Sequence, residues 1–335
     1  MGGKWGRRAL TIPSVVVAFA LVTLALPLLL AIAALVDVAR WLLRRQRWTS
    51  LRLLAFLWVY MAAQVVGLSA LFWVWLLSFG AAARRAGRLV DWTFEVQQIW
   101  ASALFRTVCV LFGLRVRVEG EADLRHGPYV VFIRHASVID TLLPTVLITR
   151  RHGIRLRFVL KRELLVDPCL DVAGLRLPNC FVSRAGETSA DVDGVATLGR
   201  GLGPGEGVLI YPEGTRFSPG KRRRILARLS GGSPEIFSRA QRLSQVLPPR
   251  LGGALALLEA AEGADAVFFA HAGLDGFASV RDIFDQALGA RRVEVKVWRI
   301  PRSQIPRDEA ARVRFLYDEW QKVDEWIAAR TRDAL

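Results

Sequence analysis

A chain of 335 residues has room for one large domain with an appendage or for two domains; 53% of this one is hydrophobic, more than a purely soluble protein carries. Its 46 basic residues outweigh 30 acidic ones, leaving a net charge of +16 and a pI near 11.0. Such a surplus draws a protein to headgroups, nucleic acid or phosphorylated small molecules, but zinc-ligand spacing, an RNP-like strand and basic heptads are all missing, which argues against a nucleic-acid partner.

The apolar excess lies before about residue 80. Ile12 to Val38 and Leu53 to Phe79 are almost unbroken apolar runs, each reaching roughly 40 Å as a helix, enough to cross a bilayer with tilt. The first is too long for the core of a cleaved signal peptide and the second follows directly, so an uncleaved two-helix anchor over residues 1–85 is expected. The stretch Arg40-Trp41-Leu42-Leu43-Arg44-Arg45-Gln46-Arg47-Trp48 is its tip, with Trp and Arg as interfacial anchors. Lys4, Arg7, Arg8, Arg84, Arg85 and Arg88 on one side nearly balance Arg40, Arg44, Arg45, Arg47 and Arg52 on the other. That balance leaves open a spanning hairpin and two helices lying in one leaflet, with spanning preferred. A membrane location with the remainder of the chain on the cytoplasmic side is expected.

Residues 86–335 form the second expected domain. Leu89 to Gly113 has helical periodicity and many aromatics, as a linker helix at the membrane surface would. From Leu114 the pattern alternates. Strands are predicted at Arg115 to Glu119, Tyr129 to Ile133, Arg157 to Leu160, Phe181 to Ser183, Val208 to Tyr211, Ala266 to His271 and Val293 to Trp298. A helix is predicted from Val138 to Thr149, and a last one over Glu309 to Ala328 carries Val313, Leu316, Trp320, Val323 and Ile327 on one face. Strands separated by helical segments give an α/β fold, a mixed central sheet flanked by helices. The three cysteines, Cys109, Cys169 and Cys180, form no C-x-x-C pair. They point to neither a disulfide framework nor a metal site, and a reducing compartment fits.

Two constellations carry chemistry. In Phe132-Ile133-Arg134-His135-Ala136-Ser137-Val138-Ile139-Asp140, a buried-type strand runs into a helix whose N-cap is Ser137 and whose third position is Asp140. The turn between them can fold the His135 ring over the Asp140 carboxylate, which fixes the tautomer and leaves the other ring nitrogen as a general base. In Val208-Leu209-Ile210-Tyr211-Pro212-Glu213-Gly214-Thr215-Arg216 a second apolar strand ends in a tight charged turn. Ligand sites of α/β sheets lie at such carboxyl ends. Gly214 permits close approach there, and Arg216 suits phosphate. Taken alone, each admits a plainer reading: a capped helix with a surface histidine, and an ordinary turn with a Glu–Arg pair. Ser137 lacks the Gly-x-Ser-x-Gly elbow of a nucleophile and is explained as a cap. His271 reads as structural, His126 and His152 as solvated, and Lys221-Arg222-Arg223-Arg224 as a surface charge run.

Read in order, RHASVID, FVLKREL, FVSR, IYPEGTR and LPPR resemble the glycerolipid acyltransferases, especially 1-acylglycerol-3-phosphate acyltransferases, over roughly residues 110 to 325. Leu247-Pro248-Pro249-Arg250 and Trp320-Gln321-Lys322-Val323-Asp324 look like the lysophosphatidate/lysocardiolipin branch. The resemblance implies that His135 takes the proton from the acceptor hydroxyl as it attacks an acyl thioester, that Asp140 orients His135, and that transfer is direct. Glu213, Gly214, Thr215 and Arg216 match the acceptor-binding motif, with Arg216 on the phosphate. Lys161 and Arg184 match basic positions of the same pocket. Arg134 stands where the family commonly has Asn; its charge would favour a neutral His135 and could contact a substrate phosphate. The implied partners are the bilayer, a lysophospholipid acceptor and acyl-CoA or acyl-carrier protein as donor, with no metal or cofactor. A non-catalytic adaptor for anionic lipid and a thioesterase are the competing readings.

Overall fold

Pro27 decides the shape of the first apolar run. It has no N–H to offer the carbonyl of Thr23, so the helix breaks there into α1 (Lys4–Leu24) and α2 (Leu26–Arg44). With α3 (Ser50–Leu77) there are three anchor helices rather than the two expected. They have 21, 19 and 28 residues, or about 30, 28 and 42 Å, and all three are long and apolar enough to cross a membrane. The computed structural model describes residues 3–44, 48–78, 87–183, 188–277, 282 and 292–332. Arg45 and Arg47 at the tip, and Arg84 and Arg85, lie outside them.

Two compact units are distinguished, the first within Met1–Arg115 and Lys161–Asn179, the second within Val116–Leu160, Cys180–Ala278 and Arg292–Leu335. The expected boundary at residue 85 is therefore displaced, because α4 (Arg88–Phe112) and α5 (Pro168–Gly174) belong with the anchor helices. Gly67 of α3 makes this packing possible: a Cβ there would lie 3.0 Å from Cys169 Sγ and 3.2 Å from the Trp100 ring. Buried Asp37 of α2 caps the next helix, accepting from Thr49 N (3.2 Å), Ser50 N (2.9 Å) and Leu51 N (3.0 Å). Those N–H groups have no partner within α3 itself. Arg7, one of the positive charges tallied for orientation, is committed to a fully buried carboxylate: Nη2 and Nε meet Asp171 Oδ1 and Oδ2 at 2.8 and 3.0 Å.

The second unit is built on a seven-stranded mixed sheet. Its strands are β1 (Arg115–Glu119), β2 (Tyr129–Ile133), β3 (Arg155–Lys161), β4 (Cys180–Val182), β5 (Glu206–Ile210), β6 (Asp265–Ala272) and β7 (Arg292–Ile300), in the order β1-β7-β6-β2-β5-β3-β4. Each predicted strand is present with its ends shifted by up to two residues. β2 is apolar throughout and fully buried because it runs between β5 and β6, parallel to both. β3 is parallel to β5, and β7 antiparallel to β6. The core joins Phe132 and Phe268, stacked with centroids 5.2 Å apart, to residues of α9 (Leu251–Ala260) and α10 (Glu309–Arg332), which follow α6 (Ser189–Gly199), α7 (Pro219–Leu229) and α8 (Pro234–Arg242) in the chain. Of the predicted α10 face, Leu316, Trp320, Val323 and Ile327 are fully buried, and Val313 is partly so.

α10 also holds an irregular segment in place. The buried Asp324 carboxylate accepts from Ser244 N (2.8 Å), Gln245 N (2.5 Å) and Val246 N (3.0 Å). Trp320 Nε1 donates to Leu247 O at 3.0 Å. Outside any strand, the buried Val246 N–H would otherwise be unpaired. This segment forms one wall of the site.

Candidate active site

β2 stops at Ile133, and the chain turns tightly because one carboxylate gathers its N–H groups. Asp140, fully buried, accepts from Ala136 N and Ser137 N, each at 2.7 Å, through Oδ2. Its Oδ1 lies 3.0 Å from His135 Nδ1. A carboxylate only accepts, so Nδ1 carries the hydrogen and proton acceptance falls to Nε2. Burial pushes the Asp140 carboxyl upward, but the hydrogen bonds from His135 and His271 outweigh it and hold the group well below the usual carboxylate range. The helix expected from Val138 begins differently. Ser137 Oγ accepts from Ile139 N at 2.8 Å rather than from the third position, a 3-10 turn spans Ile139–Thr141, and a π-helical turn follows at Thr145–Arg150. The acid's half of the capping box is present, bonding back to Ser137 N; the serine's half is shortened by one residue.

The second constellation locks onto the first. β5 leads into the Tyr211–Gly214 turn, closed by Gly214 N to Tyr211 O at 3.0 Å. Glu213 accepts from His135 N at 2.7 Å through Oε1 and from Leu247 N at 2.8 Å through Oε2. It is a brace between three loops, and it is buried; burial pushes its carboxyl up to about 8 against the two backbone N–H groups, which lower it. Phe217 N returns to His135 O at 2.8 Å. The Tyr211 ring packs on the His135 ring, centroids 4.7 Å apart, and its hydroxyl donates to Asp140 O at 3.3 Å. Gly214 has φ +63°, and a Cβ there would meet Arg250 Nε at 2.7 Å and Cδ at 2.8 Å. Gly214→Ala is therefore expected to lower unfolding stability by about 1–2 kcal/mol for the left-handed backbone, plus the displacement of Arg250. A denaturant midpoint equal to that of the parent protein would contradict the close approach.

The basic residues divide. Thr215 and Arg216 are half-buried at the corner. Lys221 joins them: its Nζ donates to Thr215 Oγ1 at 3.0 Å and to Arg216 O at 2.9 Å. Burial, then the charges of Arg216 and Arg224, lower the Lys221 ammonium from its ordinary range. Arg134 is placed where a phosphate contact is not available to it. Only 1% exposed, it donates to His271 O (3.1 Å), Gln245 O (3.1 Å) and both Asp275 oxygens. An interior position beside β6 turns its guanidinium inward, which corrects its expected part in substrate binding. Lys161 is the last residue of β3 and belongs with the first unit. Arg184 lies outside the described residues. His152, expected to be solvated, is only 13% exposed and lies 3.5 Å from Glu121.

A family model described as Acyltransferase matches residues 115–252, the span holding β1 to β5 and both constellations. Over those residues the sheet domain is similar to the acyltransferases that this family model describes. A lyso-ornithine lipid O-acyltransferase of Rhizobium meliloti is 33% identical over 128 residues, 38% of this chain and 41% of that protein. The alignment thus spans under half of the relative. The 1-acyl-sn-glycerophosphate acyltransferase PlsC from Thermotoga maritima shares the fold, with a TM-score of 0.50 and 15% identity over 84% of this chain and 96% of that one. Within the sheet domain, the sequence pattern alone passed over Tyr211, Lys221, Arg250 and His271 as site residues. Lys221 sat inside a charge run and Tyr211 at the end of an apolar strand. Only His271, a second histidine closing a central strand, offered a signal.

Proposed function

We propose that the domain transfers an acyl group from a thioester, acyl-CoA or acyl-carrier protein, to the free hydroxyl of a lysophospholipid in the bilayer, with 1-acylglycerol-3-phosphate as acceptor and phosphatidate as product. The observation that carries this reading is the 3.0 Å contact between His135 Nδ1 and the buried Asp140 carboxylate, at the carboxyl ends of two adjacent parallel strands. His135 Nε2 takes the acceptor proton as its oxygen bonds to the thioester carbonyl carbon. The resulting tetrahedral oxyanion collapses, the C–S bond breaks, and the leaving thiolate recovers the proton from His135. Arg216 grips the acceptor phosphate. No metal or cofactor is called for, since a thioester is already activated. The catalytic face looks to the cytoplasm, where such donors are supplied.

The R. meliloti relative favours a second acceptor, a lyso-ornithine lipid, on the basis of its printed activity. Purified protein in detergent, given labelled acyl-CoA or acyl-carrier protein with lysophosphatidate, lysocardiolipin, lyso-ornithine lipid or no acceptor, separates the possibilities. Acylated lipid formed only with an acceptor supports the transferase and names its substrate. Free fatty acid without acceptor would make the protein a thioesterase, and no turnover at all an adaptor. Arg216→Ala is expected to raise KM for a phosphate-bearing acceptor at least tenfold while that for the donor stays within about twofold. Equal loss for both substrates would remove Arg216 from the phosphate.

A further inference from the structure

Behind the His135–Asp140 pair stands a second imidazole that the sequence marks only as a strand end. His271 is the seventh residue of β6, wholly buried, and β6 is the immediate neighbour of β2. Its Nε2 lies 3.0 Å from Arg134 O and 3.6 Å from Asp140 Oδ2, the oxygen opposite the one that meets His135. Both neighbours are acceptors: a peptide carbonyl has no hydrogen to give, and Asp140 is held in its ionised form. Nε2 must therefore carry the hydrogen. Nδ1 is buried with no hydrogen-bond partner. An unpaired lone pair costs less there than an unpaired N–H⁺ would, so the ring is neutral.

The groups that face this ring are few and named. From the β2 side come Asp140 and the Arg134 guanidinium, which donates to the His271 carbonyl at 3.1 Å. From the turn after β6 comes Asp275, which pairs with Arg134. Arg134 is thus clamped at both ends of the residue, its carbonyl by His271 Nε2 and its guanidinium by Asp275 and two carbonyls. The next residue is His135. A tether on the Arg134 carbonyl fixes the peptide from which the catalytic ring hangs, and the Nε2 hydrogen also faces the carboxylate that orients that ring.

We propose that His271 is a positioning residue of the transfer reaction: its Nε2–H holds the Arg134–His135 peptide and tempers the Asp140 carboxylate, so that the His135 ring is aimed at the acceptor hydroxyl. This rests on His135 being the base. A carboxylate that loses a facing donor keeps more of its charge for the His135 imidazolium, which then persists to higher pH. The effect is modest for one long contact, and its sign is fixed.

The test compares His271→Phe, which fills the space without a donor, with His271→Gln, whose amide nitrogen reaches the place of Nε2. Both are measured as full-length protein in detergent, with kcat/KM recorded across pH. His271→Phe is expected to lose about tenfold to thirtyfold in kcat, with little change in KM, and to shift the acid limb of the profile upward by roughly half a pH unit; His271→Gln is expected to restore the parent limb and most of the rate. An unshifted limb in His271→Phe, or the same loss in both variants, would overturn the proposal. The parent protein supplies a measurement that does not depend on either variant folding. Nitrogen-15 spectra of its four histidines should show the ring most protected from solvent exchange, wholly buried His271, in the Nε2–H form; finding that ring in the Nδ1–H form would equally overturn it. His135→Ala separates the two levels. Activity surviving there removes the base itself, whereas an inactive His135→Ala beside an unshifted His271→Phe removes only the part given to His271.

Discussion

His135→Ala is expected to abolish acyl transfer, by on the order of a thousandfold or more, while leaving a folded, membrane-bound protein. General-base catalysis of this kind contributes about 10²–10⁴-fold, and no other imidazole stands at this turn with a nitrogen left for substrate. His271, the nearest, is wholly buried and points its Nε2 at Arg134 O and Asp140. Folding should be spared, because the contacts that tie the turn to the corner run through the His135 backbone: its N–H to Glu213 and its carbonyl from Phe217. Initial rates with a labelled donor, beside a thermal melt, check both halves. More than a few per cent of parent activity would take His135 out of the base role.

Asp140→Asn is expected to be nearly as severe and, unlike the histidine change, to destabilise the fold. The carboxylate has two jobs at once: Oδ2 accepts from two backbone N–H groups and Oδ1 from the His135 ring. An amide offers only one acceptor atom. If its oxygen keeps the Ala136 and Ser137 N–H groups, its NH₂ faces His135 and forces the opposite tautomer, presenting a hydrogen to substrate where a lone pair is needed. A loss on the order of a thousandfold to ten-thousandfold in kcat follows, by analogy with the same exchange in other Asp–His pairs. If the amide turns the other way, the turn loses its N–H acceptors at about 1–3 kcal/mol. The pH dependence has a definite sign. The folded-state carboxyl is held below its ordinary value, so Asp140 adds stability above the usual carboxylate range, and that contribution is lost as pH falls toward the folded value. Asp140→Asn should flatten the acid side of the stability curve, and unchanged acid unfolding would contradict the buried, hydrogen-bonded carboxylate.

Much of this site was legible because its parts are local. His135 and Asp140 sit five residues apart beside a strand of five consecutive buried residues, and Glu213 to Arg216 follow a second such strand. Strand ends in an α/β sheet are where residues distant in sequence meet. The order of the strands was not legible. That β2 lies between β5 and β6, which brings Glu213 to the His135 N–H and His271 to the Asp140 carboxylate, is decided by packing between residues 78 and 131 positions apart in the chain, beyond the reach of periodicity. Arg134 was misjudged for the same reason. As a charge beside a histidine it looked like a phosphate ligand, whereas the carbonyls and Asp275 that absorb it come from segments more than a hundred residues away. The break at Pro27 was visible in the sequence and underweighted, since an apolar run with a proline can be read as one tilted helix or as two.

Asp324 has a consequence for the order in which the sheet domain can be completed. α10 follows every strand of the sheet in the chain, yet it is a carboxylate of α10 that orders residues 244 to 246, next to the Leu247 N–H that Glu213 requires. A growing chain can therefore pair all seven strands while the corner after β5 still lacks its back wall, and that wall is set only once α10 has been made.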